Sequence, residues 1–218
     1  MRFGILGGTF DPIHFGHLRT AEEVGEIFEL KKVFLIPSKK PPHKKGRPVS
    51  PFSDRVDMLR LAIKGSQRLD VLDIEGKRPG YSYTIDTLKD IASNTGLGKT
   101  QDIYFILGID AFMEISTWKD YKELFCYSNF VVVDRPGYDN NREDILKELG
   151  IRYVKRRDKR SFCLESGKSL FFISVTFMDI SSTQIRELIR KGKSVSFLLP
   201  EEVKGYILKK GLYRNEVY

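Results

Sequence analysis

The chain has 218 residues, 41% hydrophobic and 30% charged, with 37 basic against 29 acidic side chains and a net charge of +8. That is the balance of a globular chain long enough for one substantial core, and its excess of cations favours anionic partners. Two cysteines, Cys126 and Cys163, are too few for a disulfide framework or a four-cysteine zinc site, and no apolar run approaches the ~20 residues that span a bilayer.

A short apolar run at residues 3–6 reads as a buried strand. It leads through Gly7-Gly8-Thr9-Phe10-Asp11-Pro12-Ile13-His14-Phe15-Gly16-His17 into a helical pattern with Leu18, Ala21, Val24 and Ile27. Asp11, Pro12 and His14 follow too soon for a signal peptide, so the chain is expected in the cytoplasm, with no membrane partner. Residues 33–36 predict a second strand, followed by a Pro- and Lys-rich loop at 37–51. Ser53 is placed to cap a helix carrying Val56, Leu59 and Ala62. A strand over 69–74 and a helix over 83–91 come next. The continuous apolar run at 103–107 is typical of a central parallel strand. Short helices around Ala111 to Ile115 and Tyr121 to Phe125 precede a strand at 130–133, closed by the turn Asp134-Arg135-Pro136-Gly137. A helix at 142–149 and strands at 151–154 and 170–173 follow. The last helices are predicted at 183–190 and 201–208, with Pro200 at the entry to the latter. Residues 155–168 read as a surface excursion.

This alternation predicts an α/β fold, a Rossmann-like doubly wound parallel sheet with helices on both faces. A single domain over 1–218 is expected, its core over about 1–190 and a C-terminal helical segment over about 191–218. The turn from first strand to first helix lies at the carboxyl edge of such a sheet, where ligands bind. Its exposed N–H groups suit an anion, and Gly7 and Gly8 allow a phosphate close to the main chain. His14 and His17, three apart, share a face and can donate to phosphate oxygens. Two other readings stay open: Asp11, His14, His17 and His43 as metal ligands, or polar residues that merely cap a helix. Lys44, in Pro41-Pro42-His43-Lys44, is either a phosphate contact or part of a solvated loop. Ser182, Thr183 and Arg186, in Ile180-Ser181-Ser182-Thr183-Gln184-Ile185-Arg186, are either helix-start chemistry or a second phosphate site. Trp118 is either a core aromatic or a stacking platform, and Asp110, after the central strand, is either an N-cap or a nucleotide contact. The basic run at 155–160 lacks interleaved aromatics and reads as a solvated face rather than a nucleic-acid site.

Taken together, residues 7–17, Pro-Pro-His-Lys at 41–44, Ser-Tyr-Thr-Ile-Asp-Thr-Leu at 82–88, Gly-Ile-Asp at 108–110, Trp118, Arg-Pro-Gly at 135–137 and residues 180–186 resemble a bacterial nicotinate-nucleotide adenylyltransferase of the H-x-G-H superfamily. The first and last motifs mark the superfamily, which includes phosphopantetheine adenylyltransferases. The segment at 82–88 and Trp118 narrow the resemblance to the pyridine-nucleotide branch. Tyr81 departs from the small residue or proline that relatives often carry there. The resemblance implies adenylyl transfer from ATP, with Mg²⁺, to nicotinate mononucleotide. By the same resemblance His17, His14 and Lys44 serve the reacting phosphates. Gly7, Gly8, Thr9, Phe10, Asp110, Ser182, Thr183 and Arg186 bind ATP, and Thr84, Trp118 and Arg135 hold the mononucleotide. A homo-oligomer stays open, no stripe of residues marking an interface.

Overall fold

The structure is a computed structural model and describes residues 1–42, 46, 48–94, 102–137, 141–155 and 161–214. Its strands are β1 (Arg2–Gly8), β2 (Lys32–Pro37), β3 (Leu69–Val71), β4 (Asp102–Gly108), β5 (Asn129–Val133), β6 (Tyr153–Lys155), β7 (Ser161–Leu164) and β8 (Ser169–Ile173). Its helices are α1 (Phe15–Ile27), α2 (Phe52–Ala62), α3 (Thr84–Asn94), α4 (Ile109–Met113), α5 (Tyr121–Tyr127), α6 (Arg142–Glu148), α7 (Ser182–Arg190) and α8 (Glu201–Lys210). The strands form one sheet in the order β3-β2-β1-β4-β5-β8-β7-β6. The six from β3 to β8 run parallel, and β7 and β6 extend the edge as antiparallel strands.

Side chains alternate across a strand, so each central strand feeds two cores. Ile103, Phe105 and Leu107 of β4 join Phe130 and Val132 of β5 on one face, under residues of α3, α4, α5 and α6. Tyr104 and Ile106 face the other way and pack with residues of α1, α2, α7 and α8. This is the doubly wound arrangement. The chain winds outward from β1 through β2 to β3, then returns to β4 on the opposite side of β1. The strand order reverses between β1 and β4, and a crevice opens at the carboxyl ends there.

Several local expectations are corrected. Residues 155–168 are not a surface excursion throughout, because β7 lies there with Ser161, Phe162 and Leu164 buried. The basic run itself falls largely on residues outside the described ones. Ser53 does not cap α2: Pro51 takes that position, without a side-chain hydrogen bond. The strand predicted over 69–74 stops at Val71, and Ile74–Lys77 is a 3-10 turn. Ile27 ends α1 more than half exposed, and the helix buries Ala21, Val24 and Gly25 instead. Among the described residues no helix is long and apolar enough to cross a membrane.

Candidate active site

The turn after β1 is tightly determined. Phe10 is a non-glycine residue at φ 50°, and its buried ring folds back over Gly8. A Cβ on Gly8 would lie 3.0 Å from the Phe10 ring, so any larger residue would press on that buried ring. His14 takes an extended conformation at the N-cap of α1, and its carbonyl accepts from the His17 N–H at 3.0 Å. The two imidazoles stack, with centroids 3.7 Å apart and planes 30° from parallel, and the Phe10 ring meets His17 edge-on at 5.1 Å. Gly16 lets the His14 ring lie close, since a Cβ there would be 3.1 Å from His14 Nδ1 and would press on that ring.

His14 is 5% exposed and its Nδ1 is buried with no hydrogen-bond partner among the described residues. Burial therefore penalises the imidazolium and holds the His14 pKa down at about 4. An unfolded histidine takes up its proton near pH 6.5. Between those values the unfolded chain binds more protons than the folded one, so stability rises with pH from about 4 to 6.5 and levels off above. Acidification from pH 7 to 4.5 should thus cost the wild type about 2–3 kcal/mol more than it costs His14→Asn. Urea unfolding at the two pH values checks this; equal losses in both proteins would refute it.

The helix start predicted as a second phosphate site is joined directly to this turn. Ser181 is the N-cap of α7 and accepts from the Gln184 N–H. The Ser182 hydroxyl donates to the Pro12 carbonyl at 2.8 Å. Arg186 donates to the Asp11 carbonyl at 2.7 Å and to the Thr183 hydroxyl at 3.1 Å. The two motifs, about 170 residues apart in sequence, thus meet as one surface at the carboxyl edge of the sheet.

From this surface a cavity of about 680 Å³ runs across the ends of β1 and β4. Gly7, Gly8, Thr9 and His17 line it at one side, and Thr84, Lys119 and Trp118 line it at the other. Phe10 and His14 lie buried behind the wall. Trp118 packs edge-on against Phe105, 6.3 Å between centroids, and also lines the cavity. Lys119 steadies this wall by pairing with Asp86 at 3.0 Å and sitting over the Tyr83 ring. The Ser82 hydroxyl accepts from the N–H groups of Lys39 and Lys40 and stitches the loop after β2 to the entry of α3. Lys44, further along that loop, lies outside the described residues, as does His43. Asp110 and Arg135 form an ion pair at 2.7 Å, both half exposed, at the ends of the neighbouring strands β4 and β5.

Three residues escape a reading of the sequence. Arg55 is buried beneath the turn and donates to the carbonyls of Thr9, Ser38, Lys39 and Ser50. Tyr213 reaches Asp11 from the other end of the chain. Glu75 lines the cavity and accepts from the Thr87 hydroxyl at 2.6 Å. Asp11 accepts from the Tyr213 hydroxyl and from the Ser50 N–H.

Residues 5–188 match the cytidylyltransferase-like family. A probable nicotinate-nucleotide adenylyltransferase of Desulfatibacillum aliphaticivorans is 44% identical, over 98% of this chain and 100% of its own. A protein of the same description from Desulfitobacterium hafniense is 42% identical, over 98% and 96%. The chain belongs to the nicotinate-nucleotide adenylyltransferase family. The fold is likewise that of a Plasmodium falciparum nicotinic acid mononucleotide adenylyltransferase solved in complex with NaAD. That structure superposes with a TM-score of 0.74 at 20% identity, covering 100% of this chain and 99% of the other. In this chain the histidine turn adjoins both the start of α7 and the crevice between β1 and β4.

Proposed function

We propose that the protein transfers the adenylyl group of ATP to nicotinate mononucleotide, giving nicotinate adenine dinucleotide and pyrophosphate, a step in NAD biosynthesis. The observation that carries this reading is the single cavity joining the histidine turn to Thr84 and Trp118, a space suited to an anionic group at one end and a planar ring at the other. In this reading ATP enters as its Mg²⁺ complex and lies along Gly7, Gly8, Thr9 and Phe10. Its β- and γ-phosphates sit toward Ser182, Thr183 and Arg186, with Lys44 beside the reacting groups. The mononucleotide stacks on Trp118, its ring carboxylate at the start of α3 near Thr84. The Asp110–Arg135 pair lies where the two nucleotides meet, Asp110 toward ATP and Arg135 toward the mononucleotide.

A 5′-phosphate oxygen attacks the α-phosphorus in line as the bond to the β-phosphate oxygen breaks, and pyrophosphate leaves with the electron pair. The attacking group is already an anion, so no strong base is required. Catalysis is then positioning and neutralisation of charge. His17 faces the cavity and donates to the α-phosphate as charge gathers there. His14, neutral in the resting protein, backs His17 as a stacked partner. The reading places the enzyme in the cytoplasm, with nucleotides rather than nucleic acid or membrane as its partners.

Pyrophosphate release with Mg²⁺ and ATP, compared for nicotinate mononucleotide, nicotinamide mononucleotide and phosphopantetheine, tests the proposal. The nicotinate compound should be preferred. Preference for the amide would overturn the carboxylate-reading pocket, and silence with all three would overturn the reaction. Trp118→Ala should raise the KM for the mononucleotide about tenfold and leave that for ATP within about twofold, since one stacking face is lost. An unchanged mononucleotide KM would remove Trp118 from the pocket.

A further inference from the structure

We propose that Tyr213, 202 residues from Asp11, is a positioning residue for the histidine turn, its buried hydroxyl fixing Asp11 and through it the placement of His14 and His17. The inference rests on the reaction proposed above and adds to it a residue outside both phosphate-facing motifs. Helix α8 ends at Lys210, Gly211 turns the chain at φ 68°, and the Leu212 N–H returns to the Ile207 carbonyl at 3.1 Å. Tyr213 follows, itself at φ 68° and only 1% exposed, and donates to Asp11 Oδ1 at 2.7 Å. A non-glycine residue holds that backbone region only where its surroundings fix it, and here the side chain is locked into the interior.

Asp11 is 2% exposed, so its carboxylate depends on the donors around it. The Ser50 N–H takes its other oxygen at 3.3 Å. Burial, reinforced by the neighbouring Asp11 charge, pushes the Tyr213 phenol upward, so it stays protonated as a donor. On one side of Asp11 stands Phe10, held at φ 50°. On the other, only Pro12 and the fully buried Ile13 separate it from His14. The turn thus keeps a sparsely populated conformation because outside groups clamp it. Tyr213 is a clamp that touches neither substrate nor reacting atoms in this reading. A slackened turn displaces His17, and misplacement of a donor lowers kcat rather than substrate binding.

Tyr213→Phe keeps the ring in the core and deletes only the hydroxyl. With ATP and nicotinate mononucleotide, kcat should fall about tenfold while each KM stays within about twofold. In a cycle with Asp11→Asn the losses should be non-additive, the double variant being no slower than Asp11→Asn alone. An imidazole NMR titration supplies a readout independent of turnover. His14, stacked on the titratable His17, should move from about 4 toward 6.5 in Tyr213→Phe as the turn admits water. Additive losses, or an unchanged kcat with an unchanged His14 titration, would overturn the proposal even if thermal stability dropped. Should the wild type release no pyrophosphate with any mononucleotide, the reaction reading fails on its own. The His14 titration then decides for the clamp if it moves and against it if it does not.

Discussion

Replacing His17 with alanine should lower kcat by ~10²–10³, the loss expected when one preorganised donor to a developing phosphate charge is removed. The size follows from where the ring stands. His17 lines the cavity at the carboxyl edge of β1, fixed between the edge contact with Phe10 and the stack on His14. A donor held this way needs no reorganisation as charge builds, and it acts from the wall of the crevice. Because the interaction strengthens in the transition state, the KM for ATP should change far less than kcat. Pyrophosphate release under saturating substrates measures this, with His17→Asn as the comparison that keeps a shorter N–H donor and should recover part of the rate. A His17→Ala enzyme with near-normal kcat would end the assignment. The folded state should survive the change, since the Phe10 and His14 rings remain to fill the space.

The features that could be read from the sequence are those whose physics is local. The central strands announce themselves because parallel strands are buried on both faces and appear as unbroken apolar runs, as at residues 103–107 and 130–133. The histidine turn and the start of α7 are legible for a similar reason. Glycines, N-cap hydroxyls and imidazoles at a strand-to-helix junction carry their chemistry within a dozen residues. Strand β7 was hidden because its four residues follow a charge run and pair antiparallel with equally short neighbours, too little length for a period to show. The capping of α2 was misread because Ser53 has the right chemistry, yet the chain enters the helix two residues earlier at Pro51. Arg55 and Tyr213 were invisible for a deeper reason. Arg55 binds main-chain carbonyls, that of Thr9 lying 46 residues away, and Tyr213 binds a carboxylate 202 residues away. A carbonyl acceptor has no residue-type signature, so an arginine on an amphipathic helix reads as solvated until the fold shows what it touches.

That concealed arginine should give the largest loss of stability. Arg55 is 1% exposed and lies on α2 beneath the turn. Its guanidinium donates to the Thr9 carbonyl at 2.7 Å, Ser38 at 2.8 Å, Ser50 at 3.0 Å and Lys39 at 3.4 Å. Burial pulls its pKa downward, opposed by the nearby carboxylates of Asp11 and Glu75. It is thus a buried cation that bridges the loops after β1 and β2, with Ser50 linking it onward to Asp11. Arg55→Met conserves the length of the side chain and removes the fork. Buried carbonyls would lose their donors and Asp11 its nearby cation, and the expected cost is about 3–5 kcal/mol. Arg55→Lys should also be strongly destabilising, because one ammonium cannot reproduce the fork that spans these carbonyls. Urea unfolding measures both variants; a loss under about 1 kcal/mol in Arg55→Met would show that the carbonyls find other donors. Activity should respond beyond stability, since Thr9 and Ser38 both line the cavity. At a temperature where Arg55→Met remains folded, its kcat/KM for ATP should fall about tenfold or more, as the wall against which the nucleotide phosphates are proposed to lie loses its fixed spacing.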